Sequence, residues 1–294
     1  MSSALFIINP AAGHGRAGRA WAALKDAALR LVPDAACAVT ESAGHAAELA
    51  RAAAEDGVSK IIAVGGDGTF CEALEGLMGA SERARSRAAL GAVPAGSGCD
   101  LARHLGYPKD RDGLIALLAR GGTRRIDVGL ASFAGGSRRR HFINIAAFGL
   151  GGDVARRVAE GGKPLGGTLS YAFASLAALA AARARPMRLV ADGAPMEGRW
   201  HLGVLANTSS MGGGMLIAPG AVDDDGEMEL VLAGDMSRAA LLAAMPSLYR
   251  GRHIGRPGIE ILKVKRLECS SREPVSLNID GEADGAFPAV FEVL

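Results

Sequence analysis

The stretch VGGDGTFCEAL, residues 64 to 74, sets one carboxylate, Asp67, among glycines between an apolar run and a helix-like one. Gly65 and Gly66 let the backbone come close to a ligand, and the N-terminus of the following helix offers free N–H groups to phosphate. A carboxylate beside phosphate repels it unless a cation lies between them, so Asp67 points to Mg2+ or to proton transfer. Thr69 adds a hydroxyl donor, and Glu72 falls on the first helical turn. The plainer reading is a strand-to-helix turn capped by Thr69 or Asp67.

Two more glycine segments weigh against that plainer reading. VPAGSGCDLAR, residues 93 to 103, again joins a strand end, glycines, a hydroxyl (Ser97) and a helix start. FIINPAAGHGRAG, residues 6 to 18, contains GHGRAG, a literal G-x-G-x-x-G. In a dinucleotide fold the first glycine follows the strand directly, and an acidic residue closing the second strand holds the ribose. Here Asn9 to Ala12 intervene, and the second strand ends in Thr40-Glu41, which fits only loosely. In a chain with 41 glycines the match is weak. No G-x-x-x-x-G-K-[ST] is present, which excludes a P-loop enzyme. Downstream, DDDGE (223–227) and NIDGEADG (278–285) concentrate acid around glycine; by themselves both read as surface turns.

Short apolar strands alternate with helices through residue 125. The pattern predicts strands at 4–8, 36–40, 60–65 and 90–94, and helices at 17–31, 45–56, 70–79 and 99–105. Such alternation makes a parallel sheet covered on both faces, with ligands at the carboxyl ends of its strands, where all three glycine loops fall. Beyond residue 125, strands follow strands. IDVGLASFA and RHFINIAAFG flank a basic turn, and an alanine-rich helix, MRLVAD, RWHLGVLAN, EMELVLAG, a helix at 237–250, IEILKVKRLEC, VSLNID and AVFEVL follow. This half reads as a mainly antiparallel β-sandwich.

At 49% apolar and 22% charged residues the composition is that of a globular chain. A net charge of +2 excludes a broad nucleic-acid footprint, so anion binding should be local. Cys37, Cys71, Cys99 and Cys269 form no C-x-x-C and no regular spacing with histidine, which argues against zinc and disulfides and for a reducing cytoplasm. The N-terminus lacks the basic start and cleavage site of a signal peptide. Leu169 to Ala182 is too short for a membrane span and closes on Arg183 and Arg185, so a buried amphipathic helix is expected there.

NPAAGHG, GGDGTFCE and PAGSGCDLAR, in that order, resemble the diacylglycerol kinase catalytic-domain family, which includes bacterial lipid kinases, sphingosine kinases and ceramide kinases. The resemblance continues through RIDVGL (125–130), FINIAAFGLGGDV (142–154), NTSSMGGGMLIAPGAVDDDGEMEL (207–230), YRGRHI (249–254) and NIDGE (278–282). It implies an ATP-binding α/β domain at 1–125 and a β-sandwich lipid domain at 126–294, with the active site in the cleft between them. It leaves open that the extreme C-terminal tail packs back on the first domain. It implies that Asn9, Pro10, Ala11, Ala12, Gly13, Thr40, Gly65, Gly66, Asp67, Gly68, Thr69, Glu72 and Ser97 line the ATP site. It also implies that Asp225, with the backbone carbonyls of Val222 and Glu227, holds Mg2+, a set of hard oxygen ligands suited to that ion. Asp280 and Glu282 become the candidates to take the proton from a lipid hydroxyl, with Asp67 as rival.

The expected reaction is ATP- and Mg2+-dependent transfer of the γ-phosphoryl group to a diacylglycerol-like or sphingoid-like hydroxyl. The expected protein is cytoplasmic and visits membrane surfaces, with homodimerisation left open. An NAD kinase-like enzyme and a nucleotide-sensing module without catalysis are the alternatives. The DGE end of the match disfavours the first, and the presence of Asp67, Asp225, Asp280 and Glu282 together disfavours the second. Cys71 and Cys99 stand where the family often has Asn. A small filler is the favoured reading, and a thiol activated by a helix dipole is the sharper one. Leu165, Leu169, Tyr171, Phe173 and Leu176 are read as core or as a lipid groove. Arg138 to Arg140, Arg250, Arg252 and Arg256 are read as solvated turns or as contacts to anionic headgroups.

Overall fold

The computed structural model describes residues 3–96, 98–133, 135–161, 177–179 and 181–294. Contacts divide the chain into two compact units, Met1–Arg125 and Ile126–Leu294. Ser97 and the apolar residues Leu165, Leu169, Tyr171, Phe173 and Leu176 lie outside the described residues.

The first unit is built on β1 (Ala4–Ile8), β2 (Ala36–Val39), β3 (Lys60–Gly65) and β4 (Ala89–Pro94), all parallel in the order β2-β1-β3-β4. Helices α1 (Ala12–Leu31), α2 (His45–Glu55), α3 (Asp67–Met78), α4 (Glu82–Arg85), α5 (Asp100–His104) and α6 (Arg111–Arg120) connect and cover them. β1 and β3 are buried along nearly their whole length, as a two-sided sheet requires. Phe6, Ile62 and Val64 pack beneath Trp21 and Leu24 of α1 and Leu114 of α6, with the Phe6 and Trp21 rings 4.8 Å apart. Several helices differ from expectation: α1 begins at Ala12 rather than at residue 17, and helices also form over Glu82–Arg85 and Leu150–Gly161, where none is expected. α3 starts at Asp67, because Gly66 provides an extended N-cap (φ −99°, ψ −173°) and Gly68 is accommodated inside the first turn. α6 was not anticipated, although Asp110 caps it by accepting from Gly113 N–H at 2.8 Å and Gly121 ends it at φ 62°.

The second unit holds eleven strands among the described residues, in one curled, antiparallel sheet. They are β5 (Gly129–Phe133), β6 (Arg138–Phe142), β7 (Ile145–Gly149), β8 (Arg185–Ala191), β9 (Ala194–Ala206), β10 (Met228–Gly234), β11 (Ile259–Val264), β12 (Arg266–Ser270), β13 (Ser276–Ile279), β14 (Glu282–Ala286) and β15 (Ala289–Val293). The sheet wraps a core containing Phe142, Phe148, Leu189, Leu230 and Phe291. Helices α7 (Leu150–Gly161) and α8 (Arg238–Leu248) belong to the same unit. The tail strand β15 pairs with β5 and β12 of this sheet.

Two runs expected as single strands are each broken in two. RHFINIAAFG splits at Ile143-Asn144 between β6 and β7, and IEILKVKRLEC splits at Lys265 between β11 and β12. Each break is also a change of partner, from β5 to β9 and β13 in the first case, and from β10 to β8 and β15 in the second. Changes of partner at a bend are how a sheet turns a corner and closes over a core.

Helix α7 approaches the strands closely at Gly152, where an added Cβ would stand 1.9 Å from the carbonyl oxygen of Ser276. Backbone on both sides leaves no flexible group to yield. Gly152→Ala should therefore cost about 2–3 kcal/mol, read as a lowered Tm in a thermal melt. An unchanged melt would contradict this packing.

Candidate functional site

In the first unit the chain leaves β1 for β2 on one side and reaches β3 on the other, so the fold reverses direction between β1 and β3. Open α/β sheets bind ligands at such a reversal, beyond the strand ends. The glycine loops meet there. Asn9 donates its amide N–H to Val64 O at 3.0 Å and its side-chain Nδ2 to Thr69 Oγ1 at 3.1 Å. Thr40 N–H donates to Ile8 O at 2.8 Å. A Cβ on Gly13 (φ 60°) would stand 2.6 Å from Ala95 O, and one on Gly65 2.4 Å from Thr69 Oγ1. A Cβ on Gly96 would stand 2.5 Å from the Cα of Gly66, so the second and third loops meet main chain to main chain.

The start of α3 has no side-chain cap. Pro10, Ala11 and Gly68 are exposed, while Ala12, Gly13, Gly66, Asp67 and Glu72 are half-buried and Thr69 is buried. The Asp67 carboxylate accepts from the Asp100 N–H at 3.2 Å, which ties the second loop to the start of α5. Asp100, which no sequence motif singles out, is buried and paired with Arg103, whose Nη2 also donates to Gly98 O at 3.0 Å. Its signal was a carboxylate directly after the third glycine loop. Burial, and next the Asp67 charge, push the Cys99 thiol pKa up, and Cys71 is buried. Both observations favour the small-filler reading of these positions over the activated thiol, because desolvation disfavours the thiolate.

In the second unit Asp280 and Gly281 form the two-residue turn between β13 and β14, both with positive φ (48° and 93°). Asp-Gly suits a type I′ hairpin turn. The Asp280 carboxylate accepts from the N–H groups of Ile143 (2.8 Å), Asn144 (2.9 Å) and Ile145 (2.9 Å). The same device recurs at Asp192-Gly193 between β8 and β9, where Asp192 accepts from the N–H groups of Lys265 and Arg266. Glu282 lies just past the turn, its side chain 57% exposed and 3.3 Å from Arg140. Arg140 also reaches Asp284 at 3.6 Å, and Arg138 bonds Asp284 at 2.7 Å, so these two arginines are paired with acids of the same hairpin.

The acidic turn is tied into this network. Gly226 N–H donates to Asp127 Oδ2 at 2.7 Å, and Asn207 Nδ2 donates to Asp127 O at 2.8 Å and to Ile143 O at 2.9 Å. Neither Asp127 nor Asn207 was assigned a role from sequence; both were visible as polar residues inside apolar runs. Asp225 accepts from Glu227 N–H at 3.1 Å and from the Lys263 ammonium, which lies 3.7 Å from the Glu227 carboxylate. Asp225 holds the Lys263 pKa up. Burial raises the carboxyl pKa of neighbouring Glu229. Among the described residues no three His, Cys, Asp or Glu side chains are grouped to hold a metal. A cation at this turn would rely on the Asp225 carboxylate and the carbonyls of Val222 and Glu227. That all-oxygen donor set suits Mg2+, although Lys263 already offsets part of its charge.

The comparisons decide the family. Residues 3–131 match the diacylglycerol kinase catalytic domain, and residues 144–294 match the YegS C-terminal NAD kinase beta sandwich-like domain. A diacylglycerol kinase of Staphylococcus aureus (strain bovine RF122 / ET3-1) is 30% identical over 98% of this chain and 88% of its own. The chain belongs to the diacylglycerol kinase family. A diacylglycerol kinase of Staphylococcus epidermidis (strain ATCC 12228 / FDA PCI 1200) is 31% identical over the same shares. A crystal structure of a diacylglycerol kinase from Bacillus anthracis str. Sterne superposes with a TM-score of 0.74 at 22% identity, covering 100% of this chain and 94% of that one. A second from the same organism reaches 0.80 at 24% identity with the same coverage. At such identities these structures speak for the fold, and the two-part α/β and antiparallel architecture of this diacylglycerol kinase family member agrees with theirs. No helix among the described residues is long and apolar enough to cross a membrane.

Proposed function

We propose that this chain is an ATP- and Mg2+-dependent lipid kinase that transfers the γ-phosphoryl group of ATP to the free hydroxyl of diacylglycerol. The meeting of three glycine loops at the β1–β3 reversal, with an uncapped helix start and Asp67 beside it, carries this reading. Main-chain N–H groups at α3 receive phosphate oxygens, and the glycines let those oxygens come near. Mg2+ supplies charge neutralisation for the phosphates, and Asp67 is the carboxylate that favours a cation there. Asp225, with the carbonyls of Val222 and Glu227, is the proposed second holding point for Mg2+.

Glu282 takes the proton from the acceptor hydroxyl. The three N–H bonds on Asp280 support a positioning role for that carboxylate, since both its oxygens are engaged. The relatives' diacylglycerol kinase name supports the acceptor class.

Purified protein with γ-labelled ATP, Mg2+ and micelles of diacylglycerol, monoacylglycerol, sphingosine or ceramide tests the assignment. Label should enter diacylglycerol. Label in sphingosine alone would replace the acceptor, and ATP binding with no labelled lipid would favour a sensor. Gly96→Ala should raise the Kd for ATP at least about tenfold, about 1.4 kcal/mol, because its Cβ forces the second and third loops apart. Titration calorimetry reads that change, and an unaltered Kd would remove the loop contact from the nucleotide site.

A further inference from the structure

Helix α8 is buried on one side, through Leu241 and Ala244. Its other stripe, Ala239, Leu242, Ala243, Pro246 and Tyr249, follows the 3, 1, 3, 3 spacing of a single helix face, and every member is exposed. Leu242 is 50% and Tyr249 60% exposed. A surface helix ordinarily turns charge or amide to water on that face, and this one turns carbon. Residues 236–258 contain no Asp or Glu and four arginines: Arg238, Arg250, Arg252 and Arg256. All four are exposed. Their side-chain bonds go to backbone carbonyls, Arg238 to Ala182 and Arg256 to Arg252 and Ala243.

Eight of the eleven other arginines in the same unit, those at 138, 140, 156, 183, 185, 188, 199 and 266, sit in salt bridges. Among the described residues the cations around α8 are left without acidic partners, although the chain as a whole carries only +2. An apolar stripe ending in tyrosine and ringed by unneutralised arginine matches the layers of an anionic bilayer. Carbon goes into the acyl boundary, the aromatic ring sits at headgroup depth, and guanidinium groups meet phosphate.

We propose that α8 and the loop through Arg256 form the face by which this protein docks on an anionic lipid surface. The inference concerns binding alone, so it stands or falls separately from the transfer reaction. A protein partner would use the carbon stripe but has no need of the acid-free surround.

The test is sedimentation with sucrose-loaded vesicles of pure phosphatidylcholine or of phosphatidylcholine with one-third phosphatidylglycerol, without ATP. Wild-type protein should pellet with the anionic vesicles only. Leu242→Glu should abolish pelleting, and Arg250→Ala with Arg252→Ala should weaken the partition coefficient about fivefold per arginine. Arg83→Ala, on α4 in the first unit, should pellet like wild type. These side chains are exposed, so melting temperatures should stay unchanged and confirm folding. No pelleting of wild type, equal pelleting of the α8 variants, or equal loss in Arg83→Ala would overturn the proposal. So would a dimer in size-exclusion chromatography that Leu242→Glu converts to monomer, because a second copy would then own the stripe.

Discussion

Asp67→Asn is expected to leave a folded protein that binds ATP and transfers phosphate at least about a thousandfold more slowly. The substitution keeps the shape and one acceptor oxygen, so the bond from Asp100 N–H can persist. What disappears is the charge. Beside a polyphosphate that charge is unfavourable without a cation, so its removal should leave metal-free ATP binding equal or tighter while kcat collapses. Measuring kcat together with ATP affinity, with and without Mg2+, separates the two. A kcat within tenfold of wild type would refute the assignment. The same variant carries a second readout. The Asp67 carboxylate helps hold the Cys99 thiol pKa up, after burial, so thiol titration in Asp67→Asn should shift to lower pH.

Glu282→Gln and Asp280→Asn should fail in different ways. Glu282 is exposed and its ion pair with Arg140 is open to solvent, so losing the charge should barely move the melting temperature. Loss of a general base should lower kcat about a hundred- to ten-thousandfold. In Asp280→Asn one carboxylate oxygen becomes an NH2 that faces the backbone donors of Ile143 to Ile145. A cost of about 1–3 kcal/mol follows from the amides left unpaired. That variant should therefore melt several degrees lower, and its activity should fall because the bend and hairpin shift together. A stable but inactive Asp280→Asn beside an active Glu282→Gln would reverse the roles.

The first unit was readable because local signals decide it. Each strand is a short apolar run, and the one at KIIAV runs straight into a glycine pair, so β3 falls on Lys60–Gly65 as expected. The pattern sets the start of α3 three residues late because Gly68 reads as loop, whereas Gly66 takes an extended N-cap conformation against the main chain of Gly96. In the second unit both misread strands break where an aspartate from a distant Asp-Gly turn claims backbone amides. Asp280 claims those of Ile143 to Ile145, and Asp192 those of Lys265 and Arg266. No local pattern announces a bond spanning 136 residues, such as Asn144 to Asp280. The motif NIDGE was legible as chemistry, but the division of labour inside it was not. The twin at Asp192-Gly193 supplies that division, because an aspartate does the same shaping there without the following glutamate.

The main-chain contact between Gly66 and Gly96 bears on how such a protein can diversify. A cradle made of backbone has no side chains to exchange, and the close approach penalises even a methyl group. Drift can therefore rewrite little of it without losing it. Any new acceptor has to be acquired through side chains elsewhere in the chain, so the nucleotide end acts as a fixed inheritance and the acceptor end as the part free to vary.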